Sequence, residues 1–83
     1  MRLYSYNGRC NMAGVRIREA REKERLSQEQ LAARLQLLGL EITQKAISRI
    51  ETGERVIPDY ELPYFSAALN KSILWLLGFF EEA

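Results

Sequence analysis

Helix caps and helix terminators alternate along the middle of this chain so closely that only a series of short helices can form. Ser27 followed by Gln30 is a capping-box pair, the serine oxygen accepting from an amide one turn on and the glutamine reaching back to the cap. A helix starts there, with Leu31, Ala32, Leu35 and Leu38 on its inward face, and stops at Gly39. Leu40 and Ile42 tuck inward from the turn that follows. Thr43 caps a third helix that buries Ala46 or Ile47 and then Ile50, faces Gln44, Lys45, Ser48 and Arg49 outward, and ends at Gly53. Upstream, Ile17, Ala20, Arg21 and Glu24 keep helical spacing in a helix from Val15. Downstream, Leu62, Phe65, Ala68 and Leu69 do so from about Asp59, with Pro63 near the start and Asn70 as terminator. Ser72 caps a last helix that runs to about Leu77, before Gly78. Residues 1–14, with Asn7, Gly8, Asn11 and Gly14 scattered through them, read as an irregular arm ahead of a domain at residues 15–83. Val56 and Ile57 are too few to argue for a strand, so the expected class is all-α, a compact five-helix domain.

A chain of 83 residues supports one small core, and 47% hydrophobic with 28% charged residues places it among globular domains. It has no histidine and one cysteine, Cys10, so a structural zinc site, a histidine acid/base and an internal disulfide are excluded. No convergent titratable cluster suggests an enzyme, and no cofactor, metal or small-molecule substrate is expected. The longest apolar run, Ile73 to Leu77, is far too short to span a bilayer, and a cytoplasmic protein is expected. The net charge of +1 hides a polarity: residues 1–55 carry eleven Lys/Arg against seven Asp/Glu, whereas residues 56–83 carry one against four. That asymmetry fits a polyanion docked on one face, and it fits two solvated faces equally well.

Two short helices joined by a turn, the second exposing a polar row over an apolar back, are the minimal device for presenting side chains to a DNA major groove. Gln44, Lys45 and Arg49 are of the types that pair with base edges, and their spacing aligns them on one face. The run Ile17-Arg18-Glu19-Ala20-Arg21, then Leu26-Ser27-Gln28-Glu29-Gln30-Leu31-Ala32, then Ile47-Ser48-Arg49-Ile50-Glu51-Thr52-Gly53 resembles the lambda-repressor-like helix-turn-helix family of Cro/CI-type, XRE-like regulators, over roughly Val15 to Leu77. The resemblance implies base contacts from Gln44, Lys45 and Arg49 on a recognition helix at residues 44–52, a phosphate contact from Gln28, and a buried salt bridge between Arg21 and Glu51. Ser48, Thr52, Arg16 and Arg55 are further candidate phosphate contacts, which position without specifying sequence; Arg18 is as readily plain surface.

The chain departs from the family pattern between Gln36 and Ile42, where several extra residues suggest a longer second helix, its added turn buried by Leu37, Leu38, Leu40 and Ile42. The last helix is more apolar than one face can bury. Ile73 and Leu76 suit the core, while Leu74, Trp75 and Phe79 are left for a two-fold interface. A Trp75 folded back over the core is the alternative. The expected function is a transcriptional regulator, a repressor that binds double-stranded DNA at a palindromic operator as a homodimer. The competing reading is a protein-binding module, antitoxin-like or adaptor, that uses the apolar C-terminal helix.

Overall fold

Helices begin in this protein where side-chain oxygens meet amides that would otherwise lack acceptors. The computed structural model describes residues 5–79. Among them are five α-helices: α1 (Gly14–Lys23), α2 (Gln28–Leu37), α3 (Gln44–Thr52), α4 (Leu62–Leu69) and the single turn α5 (Ile73–Leu76), with a 3-10 turn (Asp59–Glu61) ahead of α4. Ser27 and Gln30 form the reciprocal capping box of α2, Thr43 accepts from the Ala46 amide at 3.1 Å, and Ser72 accepts from the Trp75 amide at 3.1 Å. Gly53 and Asn70 close α3 and α4 in the left-handed conformation. No strand occurs among the described residues, and no helix there is long and apolar enough to cross a membrane.

Ile17, Leu31, Leu35, Ile47, Ile50, Phe65, Leu69 and Leu76 are sealed in one core. Helices α1 and α2 both pack on the apolar back of α3, α4 closes the core beneath α1 and α2, and α5 leans on α1 and α4. The outward flank of α3 is thereby backed by the core, with no helix among the described residues lying over it.

Two expectations need correction. In the α2–α3 segment α2 ends at Leu37 and Gly39 (φ +105°) reverses the chain. Leu40 and Ile42 are buried as expected, but Leu37 and Leu38, expected to be buried with them, are 90% and 46% exposed. Gln36 pins the connection by donating to the Ile42 carbonyl at 2.9 Å. The described part of the expected irregular stretch, residues 5–13, carries no helix and lies against the domain, with Asn11 and Ala13 buried, and α1 starts at Gly14. Asn7 (φ +51°) and Gly8 (φ +78°) form a tight turn closed by mutual backbone hydrogen bonds between Tyr6 and Arg9. An Asn-Gly pair is the strongest short-range signal for such a turn, and it stood in the sequence.

The second correction is Trp75. It is 3% exposed and belongs to the core, so it is not an interface residue. Helix α5 is one turn long, and the large indole surface gains more by packing on α1 than by facing water. The Arg16 guanidinium and the Lys71 ammonium each lie 4.7 Å from the centre of its ring. Leu74 and Phe79 do face solvent, at 56% and 71% exposure.

Candidate nucleic-acid interface

The exposed flank of α3 follows from its caps. Thr43 fixes the first turn and Gly53 the last, and between them Ile47 and Ile50 are fully buried, so the residues on the opposite side are turned toward solvent. Gln44, Lys45 and Arg49 are exposed there, and Ser48 is half-buried beside them. A shallow groove lined by Thr43, Lys45, Ala46, Arg49, Glu54, Arg55 and Val56 runs along this flank, three cations with one carboxylate among them.

Behind the flank lies a chain of hydrogen bonds anchored on a buried carboxylate. Glu51, its side chain 3% exposed, accepts from Arg21 Nε at 2.7 Å and from Arg21 Nη2 at 3.1 Å. Arg21 also donates to the Leu26 carbonyl at 2.7 Å, tying α1, the α1–α2 turn and the end of α3 together. The hydrogen bond to Glu51, outweighing burial, holds the Arg21 guanidinium above its ordinary pKa. The free lone pairs of Glu51 reach Gln28, whose Nε2 donates to Oε1 at 3.0 Å. Gln44 Nε2 donates in turn to Gln28 Oε1 at 2.6 Å.

This relay fixes which way the amides point. A carboxylate only accepts, so Gln28 must turn its NH2 group to Glu51 and its oxygen to Gln44, and Gln44 must turn its NH2 group to Gln28. Gln44 therefore presents its oxygen and one remaining N–H outward, an acceptor and a donor side by side.

The other sequence-proposed contacts fare differently. Thr52 is exposed, with its hydroxyl donating to the Arg49 carbonyl at 3.2 Å. Arg55 is taken up elsewhere: its guanidinium grips the Glu61 carboxylate through two hydrogen bonds of 2.9 and 3.1 Å, and Glu61 is 3% exposed. Those bonds raise the Arg55 pKa against the pull of burial. The pair locks the loop after α3 to the 3-10 turn, so Arg55 is a structural residue before it is a phosphate ligand. Arg16 likewise lies over Trp75, where α1 meets α5. Sequence reasoning missed Glu61 altogether, because a carboxylate six residues from an arginine across a loop carries no periodic signal.

Two helices joined by a turn, the second supported from behind and bare in front, define a helix-turn-helix domain, the architecture of DNA-binding regulators. The helix-turn-helix domain family matches residues 13–68, and the chain belongs to that family. No curated protein and no solved structure gives a match. The family match spans α1 to nearly the end of α4 and leaves out both the Tyr6–Arg9 turn and α5.

Proposed function

We propose that this protein is a sequence-specific, double-stranded DNA-binding transcriptional regulator of the lambda-repressor-like kind, and that it represses by occupying a palindromic operator as a homodimer. The observation that carries the reading is the bare flank of α3, where exposed Gln44, Lys45 and Arg49 stand over fully buried Ile47 and Ile50.

In the proposed complex α3 enters the major groove with its N-terminal half toward the bases. The outward acceptor and donor of Gln44 match adenine, whose N6 donates and whose N7 accepts in that groove. Lys45 and Arg49 suit guanine, which offers two acceptors at O6 and N7. Ser48 and the one remaining N–H of Gln28 take phosphates on either side, Thr52 does so by turning its hydroxyl away from the Arg49 carbonyl, and backbone amides at the start of α2 assist. Arg16 and Arg55 are left out of this set because Trp75 and Glu61 occupy them. The outward pair Leu74 and Phe79 supports a two-fold contact through α5. Such a dimer sets its recognition helices about 34 Å apart, on successive major grooves.

The same exposed Leu74 and Phe79 favour the second reading, a protein-binding module that works through its C-terminal end. Selection of bound duplexes from a random pool separates the two. A palindromic consensus, with affinity that falls steeply as salt rises, is the result expected of the regulator. Recovery of no sequence above background would leave the protein-binding module as the better account.

A further inference from the structure

We propose that residues 5–12 are a clamp that sets the angle of the recognition helix, with Arg9 as its positioning residue for sequence-selective DNA binding. The inference deepens the DNA-binding reading and rests on it. Its starting observation is that these residues precede the region matched by the helix-turn-helix family, yet they hold the C-terminal end of α3.

The last carbonyls of a helix have no partner inside it and carry the negative end of the helix dipole, which favours a cation. Here Arg9 Nη2 donates to the Glu51 carbonyl at 2.8 Å and lies 3.4 Å from that of Ile50. Asn11, 8% exposed, spends its whole amide on the same joint: Nδ2 donates to the carbonyls of Ile50 at 2.9 Å and Arg55 at 2.8 Å, and Oδ1 accepts from the Gly14 amide at 2.8 Å. One side chain thus caps the start of α1 and the end of α3 together. The Cys10 amide adds a backbone bond to the Gly53 carbonyl at 2.7 Å.

Two glycines make room for the clamp. A β-carbon on Gly14 would fall 2.1 Å from the Ile50 carbonyl oxygen, and one on Gly53 would fall 2.9 Å from the Arg9 stem. The Arg9 Nε is buried with no hydrogen-bond partner, so this side chain is held where packing puts it and not where its own donors are best served.

The clamp bears on readout because α3 is a lever. Its nine residues span about 13 Å, so a tilt of about 10° at the clamped end moves the far end by about 2 Å, more than a bidentate contact to a base tolerates. The link is also direct. Glu51 is gripped by Arg9 at its carbonyl and by Gln28 at its carboxylate, and Gln28 holds Gln44. A continuous run of contacts joins the clamp to the outermost side chain of the reading face.

The test uses the full chain, with the duplex it selects from a random pool and a shuffled duplex of the same length. Arg9→Met keeps the stem over Gly53 and removes the donors. It is expected to weaken binding of the selected duplex about tenfold and of the shuffled duplex less than about twofold, compared where circular dichroism shows both proteins folded. In the free protein it should shift the backbone amide resonances of Gln44 and Lys45. Arg9→Lys, which restores the cation at the helix end, should recover most of the difference. If Arg9→Met does not fold, Gly8→Val takes its place. It strains the turn at φ +78° without meeting any atom within 4 Å, and should cut the selected-to-shuffled ratio about threefold. Equal losses on both duplexes, or an unchanged ratio with Gln44 and Lys45 resonances in place, overturn the clamp as a positioning device. If the wild-type chain selects no sequence, the DNA-binding reading fails by itself, and the resonances alone decide whether residues 5–12 set the helix.

Discussion

Glu51 concentrates more of this protein's organisation than any other side chain described. Its carboxylate binds Arg21 from α1 and Gln28 from α2, and so fixes where α3 ends against both. Truncation in Glu51→Ala strands the Arg21 guanidinium and frees Gln28, and should lower unfolding stability by about 3 kcal/mol, at the low end for a buried pair because Arg21 keeps 12% exposure. Urea denaturation reads this directly, and a loss below about 1 kcal/mol would show the pair to be marginal. Because the pair raises the Arg21 pKa, its contribution is fully present below the ordinary guanidinium value and is lost only as pH rises through the raised one, so Arg21 titration gives no stability change between neutrality and extreme alkali. Lys45 makes the contrasting case. It is exposed, so Lys45→Ala should leave stability within about 0.5 kcal/mol and relax preference at one base position by about 1 to 3 kcal/mol. Equal losses on selected and random DNA would argue against direct readout. The types and spacing that single out Lys45, Gln44 and Arg49 were legible in the sequence, whereas the orientation of the Gln44 amide was not, since it depends on a carboxylate brought from the other end of α3.

The elements were legible to the extent that their signals are local. Ser27, Thr43 and Ser72 each cap a helix within one turn of themselves, and Gly53 and Asn70 end theirs by a backbone conformation that belongs to the single residue. In the α2–α3 connection the reversal at Gly39 and the inward Leu40 and Ile42 were legible, whereas the exposure of Leu37 and Leu38 was not, because all four are equally apolar and periodicity alone does not say where the buried face of α2 stops. The two halves of this segment should respond differently to substitution. Leu37→Gln, at a site 90% exposed, is expected to change stability by less than about 0.5 kcal/mol, and Ile42→Ala, 4% exposed, to cost about 2 to 5 kcal/mol. Thermal melts of the two variants check the ordering, and a costly Leu37→Gln would mean that this surface is covered in solution.

For the whole molecule the open question is what meets the outward face of α5. Leu74 and Phe79 lie outside the core, and both reside beyond the end of the family match, where nothing in the helix-turn-helix region constrains them. A Leu74→Glu, Phe79→Glu double variant should stay folded, sediment as a monomer and lose affinity for a palindromic duplex more than for a half-site. Unchanged sedimentation relative to the wild-type chain would remove the dimer from the account. Trp75→Ala, by contrast, should act on the fold, by about 3 to 5 kcal/mol. The sequence by itself determined the capped starts of α2, α3 and α5, the all-helical class and the polar face of the recognition helix, because caps and periodicity act between residues within one or two turns of each other; the start of α4 fell at Leu62 behind a 3-10 turn and not at Asp59. Only the tertiary structure decided that Trp75 turns inward, that Arg55 belongs to Glu61 and that Arg9 and Asn11 reach the end of α3. Those pairings join residues up to 42 positions apart or depend on how a single helical turn lies on its neighbours, and the angle at which elements cross is set by the packing of the whole core.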